Sequence, residues 1–159
     1  MAEVSGRKIA ELFFDLRVNM SFWSRLHLEQ VFSINGKGEE GKLTMQQFHF
    51  LLCIRDLGLN TVSKISNSLY LSKSSASLSI AKMEEKGFIQ KQSPSKDDDG
   101  RKIYLHLTQK GECALKATEN SLMGITSGYF DSFDKEKKQA LCHHLNAINQ
   151  LILSGGNIK

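Results

Sequence analysis

The sequence predicts a mainly α-helical chain with one small β-hairpin, and three observations carry that prediction. Apolar residues recur at steps of three and four along both ends of the chain. Two short helical stretches, each apolar on one side only, follow one another in the middle. Directly after them the apolar period falls from 3.6 to 2, over two short runs separated by turn residues. The chain has 159 residues, 40% apolar and 24% charged, with a single proline. That is an ordinary globular mix, long enough for a sizeable core and incompatible with extended disorder.

Residues 7–32 read as one long helix. Ile9, Phe13, Leu16, Met20, Trp23, His27 and Val31 form a stripe, which Leu12, Phe22 and Leu26 widen beyond what one neighbouring helix would cover. The glycine-rich polar stretch 35–42 ends it as a loop. Thr44-Met45-Gln46-Gln47 is a capping box, with Leu43 and Phe48 at the two positions of a hydrophobic staple. Gly58 stops the helix that this box opens. A short helix follows with Val62, Ile65 and Leu69 on one side. Ser72-Lys73-Ser74-Ser75, rich in N-cap residues, opens the next, whose inward stripe is Ala76, Ile80 and Met83. Gly87 closes it. Two such helices joined by a tight turn read as a helix-turn-helix.

Residues 88–93 and 101–107 are strand-like, and in the second run Ile103, Leu105 and Leu107 alternate with Tyr104 and His106. Residues 94–100 supply a proline and an Asp-Gly pair for the turn. A hairpin directly after the second helix is the winged helix-turn-helix order. Helix then returns. Thr108 caps a run carrying Leu115, Thr118, Leu122, Ile125 and Tyr129, and Asp134 caps a last one carrying Leu141, Leu145, Ile148 and Ile152. The expected fold class is mainly α with a small β-wing, in which the N- and C-terminal helices form a dimerisation region.

Composition removes several function classes. Residues 1–8 lead into no apolar run, so no secretory signal is expected. The longest uncharged stretch, 139–158, holds two histidines, three asparagines and two glutamines, so no membrane partner is expected either. Cys53, Cys113 and Cys142 are an odd, widely spaced set, which fits a reduced, cytoplasmic protein. No nucleophile–base set, phosphate loop or carboxylate pair stands at catalytic spacing, so neither an enzyme nor a cofactor is expected. Cys142-His143-His144 cannot share one metal ion, because adjacent helical residues point about 100° apart. The three aspartates 97–99 do not have the spacing of a calcium loop.

The net charge of +4 is localised. Residues 59–110 hold nine Lys/Arg against five acids, and the remainder holds 12 of each. A focused basic segment is the footprint of a polyanion partner, most often nucleic acid.

In its motifs the chain resembles the MarR family of transcriptional regulators. The matching pieces are Leu43-Thr44 with Gln47, then Ser72-Lys73-Ser74-Ser75-Ala76-Ser77, then Met83-Glu84-Glu85-Lys86-Gly87-Phe88-Ile89. Asp99-Gly100-Arg101, Leu107-Thr108 and Gly111 complete the set. The resemblance covers almost the full length. It implies a single domain over residues 1–159, with residues 1–34 and 109–153 as dimerisation helices and residues 43–108 as the winged helix-turn-helix lobe. It also implies a homodimer that binds double-stranded DNA, as a repressor relieved by a small-molecule effector.

The expected DNA contacts follow from position. Ala76, Ile80 and Met83 face in, so Lys73, Ser74, Ser77, Leu78 and Ala81 face out, with Ser75 and Lys82 at the flanks. Serines at a helix N-terminus suit phosphate contacts, although Ser72 is equally an ordinary cap. Lys73 and Lys82 suit phosphates better than bases. Leu78 stands where relatives commonly carry an arginine. A leucine there contacts thymine methyls or sugar, so the expected operator is an A·T-rich inverted repeat. The other reading of Leu78 is packing against the first helix of the motif. By resemblance Asp99 braces Arg101, which reaches into the minor groove. Lys96 and Lys102 on the same hairpin join the DNA contacts, while Asp97 and Asp98 oppose them.

Trp23, His27, Phe48 and Phe50 are candidates for an effector pocket, against the reading that aromatic stripes are core. Cys53 and Cys113 fall on helices read as buried, where a thiol is inert. Three alternatives stay open: a winged-helix protein-interaction module without DNA binding, a cysteine-based redox-sensing regulator, and a DNA binder with no effector.

Overall fold

The structure, a computed structural model, describes residues 4–32, 42–92 and 103–155. These form helix α1 (Gly6–Leu28) with a 3-10 turn at Glu29–Val31, then α2 (Met45–Leu57), α3 (Val62–Ser68) and α4 (Lys73–Glu85). Strands β1 (Ile89–Gln92) and β2 (Tyr104–Leu107) come next, followed by α5 (Gln109–Asp131) and α6 (Lys135–Gly155). The fold is a winged helix: six helices and one two-stranded antiparallel sheet among the described residues. The chain divides into two compact units, residues 1–122 and 123–159, with the boundary inside α5.

In the first unit, Ser5 caps α1 by accepting from the Lys8 N–H. The long helix read over 7–32 ends earlier, at Leu28. Its last turn tightens to 3-10, and Phe32 leaves in an extended conformation to pack on the core. The α2 capping box is complete: the Thr44 N–H donates to Gln47 Oε1 (2.9 Å) and the Gln47 N–H donates to Thr44 Oγ1 (3.2 Å). Leu43 and Phe48, the staple pair, are both buried. Gly58 ends α2 at φ +62°, a left-handed conformation that costs glycine nothing, and the Leu59 N–H closes the end onto the Cys53 carbonyl at 3.0 Å.

The core lies where α2, α3, α4, the wing root and the start of α5 meet. Phe50, Leu51, Ile65, Ile80, Met83, Phe88, Leu105 and Leu115 are its largest parts. Strands β1 and β2 pair from Ile89↔Leu107 to Gln92↔Tyr104. The Leu105 N–H also donates to the Asn60 carbonyl (2.8 Å), tying the loop before α3 to the wing. Only the middle of the expected β2 alternation is buried. Leu105 is wholly inside, whereas Ile103 lies beyond the paired residues and is half exposed.

The α5 helix starts on Thr108. Its hydroxyl donates to the Gly87 carbonyl and accepts from the Gly111 N–H (3.0 Å). Gly111 sits against the Phe88 backbone so closely that a Cβ there would lie 2.9 Å from the Phe88 carbonyl carbon. Cys113, read from the sequence as buried, is exposed. Gly111, Ala114, Leu115 and Thr118 make the inward face of α5, and residue 113 falls about 150° from the centre of that face.

In the second unit, Tyr129, Phe130 and Phe133 gather their rings at centroid distances of 5.2 to 5.5 Å around the turn between α5 and α6. Asp134 caps α6 by accepting from the Lys137 N–H (2.8 Å). None of the described α6 side chains is buried.

Candidate nucleic-acid interface

The α4 helix has two opposite faces. Ala76, Ile80 and Met83 are buried at 0–1% exposure, while Lys73, Ser74, Ser75, Ser77, Leu78, Ala81 and Lys82 are exposed. The packing reading of Leu78 fails, because its side chain is 60% exposed. The reason is the 3.6-residue period. Once positions 76, 80 and 83 take the core, position 78 is carried to the far side.

Ser72 is the N-cap: its hydroxyl accepts from the Ser75 N–H (3.1 Å), donates to Ser75 Oγ (2.8 Å) and bonds Ser74 Oγ (3.0 Å). Its first duty is therefore structural. Lys73, Ser77 and Lys82 make no side-chain hydrogen bond or ion pair among the described residues, which leaves two ammonium groups and a hydroxyl on the outward face. Ser79 donates to Gln46 Oε1 (3.3 Å), which sets α4 against α2. Lys91 pairs with Glu84, linking the wing root to the end of α4 and neutralising one of the two acids there. Lys96, Asp99, Arg101 and Lys102 lie outside the described residues.

Arg55, at the end of α2, is held from two sides. Its Nε and Nη2 donate to Asp56 (2.6 and 3.0 Å), and Nη1 (3.1 Å) and Nη2 donate to Glu119 of α5. These hydrogen bonds, with Asp56 foremost, raise the guanidinium above its ordinary value and hold both carboxyls below theirs. Neither the clamp nor its partners were legible in sequence, since 64 residues separate Arg55 from Glu119 and no local periodicity links them. A second unforeseen feature is Tyr70, in the turn between α3 and α4, at φ +52°.

The four aromatic pocket candidates occupy different environments. Phe50 is wholly buried in the core, and Phe48 is buried against Phe32 with ring centroids 5.6 Å apart. Trp23 and His27 are half-buried and face each other at 5.1 Å. A separate cleft of about 340 Å³ is lined by Ile54, Arg55, Gly58, Asn60, Leu105, His106, Leu107 and Glu112. Cys53 is buried, and burial pushes its thiol up, away from the reactive thiolate. Among the described residues no three His, Cys, Asp or Glu side chains gather to hold a metal ion, and no helix is long and apolar enough to cross a membrane.

Residues 43–103 match the MarR family model. No protein of curated description matches the chain. Solved structures do. A MarR family protein from Bacillus stearothermophilus aligns with 95% of this chain and 99% of its own, at 23% identity and a TM-score of 0.64. The transcriptional regulator Tm0710 from Thermotoga maritima aligns with 91% of this chain and 96% of its own, at 19% identity and a TM-score of 0.70. Streptococcus pneumoniae FabT, solved in complex with DNA, covers 96% of this chain and 100% of its own, at 18% identity and a TM-score of 0.56. At these identities the likeness is one of fold.

Proposed function

Residues 43–103 carry MarR-family sequence on a winged-helix fold, and from that premise we propose that the protein is a dimeric, sequence-specific DNA-binding transcriptional regulator. The observation that carries this reading is the outward face of α4. Two lysines with no ion pair among the described residues, a row of serines and an exposed leucine stand on a helix whose opposite face is fully buried. Such a helix fits a major groove. Its lysines and serines meet phosphates, and Leu78 meets thymine methyls. By the family resemblance Arg101, with Asp99 as its support, is the minor-groove contact of the wing, and Lys96 and Lys102 are further DNA contacts. FabT, a relative in fold, was solved with DNA, which supports the same use of this fold.

A two-fold dimer meets equivalent DNA surfaces, so the operator is an A·T-rich inverted repeat. Its half-site centres lie one helical turn, roughly 34 Å, or a multiple of it apart. Bound there the protein acts as a repressor, relieved by a small molecule near the half-buried Trp23–His27 pair.

Operator selection from random duplex, with and without a small-molecule extract of the cell, tests DNA binding and effector response together. Arg101→Ala should weaken operator binding by about 1–3 kcal/mol and leave the melting temperature in place. Absence of any duplex binding at low salt would favour the protein-interaction module instead.

A further inference from the structure

Tyr70 is the most exposed of the large hydrophobic side chains among the described residues, at 96%, and it occupies a left-handed backbone conformation. Neighbouring geometry enforces the backbone. Leu69 and Leu71 on either side pack against the core. The Tyr70 N–H donates to the Asn67 carbonyl (3.4 Å) and the Leu71 N–H to the Ser66 carbonyl (2.9 Å). The turn therefore demands φ > 0 at residue 70, which accounts for the conformation but not for a tyrosine. Glycine or asparagine takes that conformation at lower cost, and a fully solvated ring returns no packing. Among the described residues no ring contact or hydrogen bond engages the Tyr70 side chain. A strained backbone that carries an unused aromatic group belongs to binding more often than to folding.

Its place in the chain says what it binds. Tyr70 lies two residues before the Ser72 N-cap, at most roughly 7 Å away along the backbone. It is thus beside the end of α4 whose free N–H groups, serines and Lys73 face the proposed nucleic acid. A phenol is a neutral donor that suits a phosphate oxygen, and its ring covers the adjoining sugar. We propose that Tyr70 is a DNA-backbone contact, its hydroxyl donating to a phosphate at the edge of the groove that α4 occupies. This rests on the DNA-binding reading above. The contact positions the recognition helix without reading sequence. It is uncharged, so it adds nothing to counterion release.

The test uses the full chain with Tyr70→Phe, which removes only the hydroxyl, and Tyr70→Asn, which removes the ring but tolerates φ > 0. Both should melt no lower than the wild type, because the fold makes no use of the side chain. Tyr70→Phe should bind duplex about fivefold more weakly and Tyr70→Asn about tenfold or more, by the same factor on operator and on random duplex. The slope of log K against log salt should match the wild type, whereas Lys73→Ala should lose about one unit of slope. Wild-type affinity in both variants overturns the Tyr70 contact while the DNA-binding reading stands. A loss confined to the operator also overturns it, since the residue would then read bases. If the wild type itself binds no duplex at low salt, both readings fall together.

Discussion

Leu78 shows how much a single position on α4 decides. Three residues of one face are buried at Ala76, Ile80 and Met83, so the spacing alone sets Leu78 outward, and it is 60% exposed. An outward leucine adds little to stability. Leu78→Ala should therefore move the folding free energy by no more than about 0.5 kcal/mol. On an A·T-rich operator the same change should weaken binding, and affinity for random duplex should hold. The matching change on the DNA is uracil for a contacted thymine. It removes one methyl and should cost about 0.8 kcal/mol, roughly fourfold in affinity, measured by titration at fixed salt. If no substituted position in the half-site matters, Leu78 does not read thymine. Tyr70, eight residues earlier, was not legible in the same way. Residue type argues for glycine or asparagine wherever φ is positive, and only the packing of Leu69 and Leu71 reveals that the turn holds residue 70 at positive φ.

At the scale of elements, two junctions hold α5 to the winged-helix core. The first is the Leu107-Thr108 to Gly111 segment. Thr108 bonds both the Gly87 carbonyl and the Gly111 N–H, and Gly111 lets α5 rest on the Phe88 backbone. The motif was visible in the sequence, but its reason was not, because the atom that forbids a side chain lies 23 residues upstream. Gly111→Ala gains helix propensity and still should destabilise, by about 1–3 kcal/mol, since backbone cannot yield as a side chain can. Chemical denaturation would measure this, and a more stable variant would contradict the close approach. The second junction is the clamp of Arg55 on Asp56 and Glu119. Both carboxyls sit below their ordinary values in the folded state, chiefly because they accept from Arg55. Their contribution is therefore complete above the ordinary carboxylate range, about pH 4, and fades as pH falls through their lowered values. Glu119→Gln should lower stability at neutral pH and flatten the acid limb of a stability–pH profile. An unchanged profile would show the clamp to be idle. The pair is about one-third exposed, so solvent screening keeps the effect modest.

For the whole molecule, the largest unmet demand is apolar surface. None of the 23 residues of α1 is buried within the chain, although Ile9, Phe13, Phe14, Met20 and Phe22 all lie on it. Leu145, Leu151 and Ile152 of α6 are exposed as well. The proposed dimer would cover this surface with a second copy, so sedimentation at micromolar concentration should give about twice the 17.9 kDa chain mass. A folded monomer would refute the dimer. With about 6–10 phosphate contacts spread over two lobes, operator affinity should fall by roughly 10³–10⁵ between 50 and 200 mM salt. The amino-acid sequence by itself determined the order of helices and wing, the Thr44 and Ser72 caps, the stop at Gly58 and the division of α4 into an inner and an outer face. Each of these depends on a period or a cap within a few residues, where local sterics and backbone hydrogen bonding suffice. Tertiary structure alone decided that Cys113 is exposed, that Arg55 grips Glu119, that Gly111 meets Phe88 and that Tyr70 is forced to φ +52°. Those outcomes depend on how distant segments approach one another, and no local pattern encodes that approach.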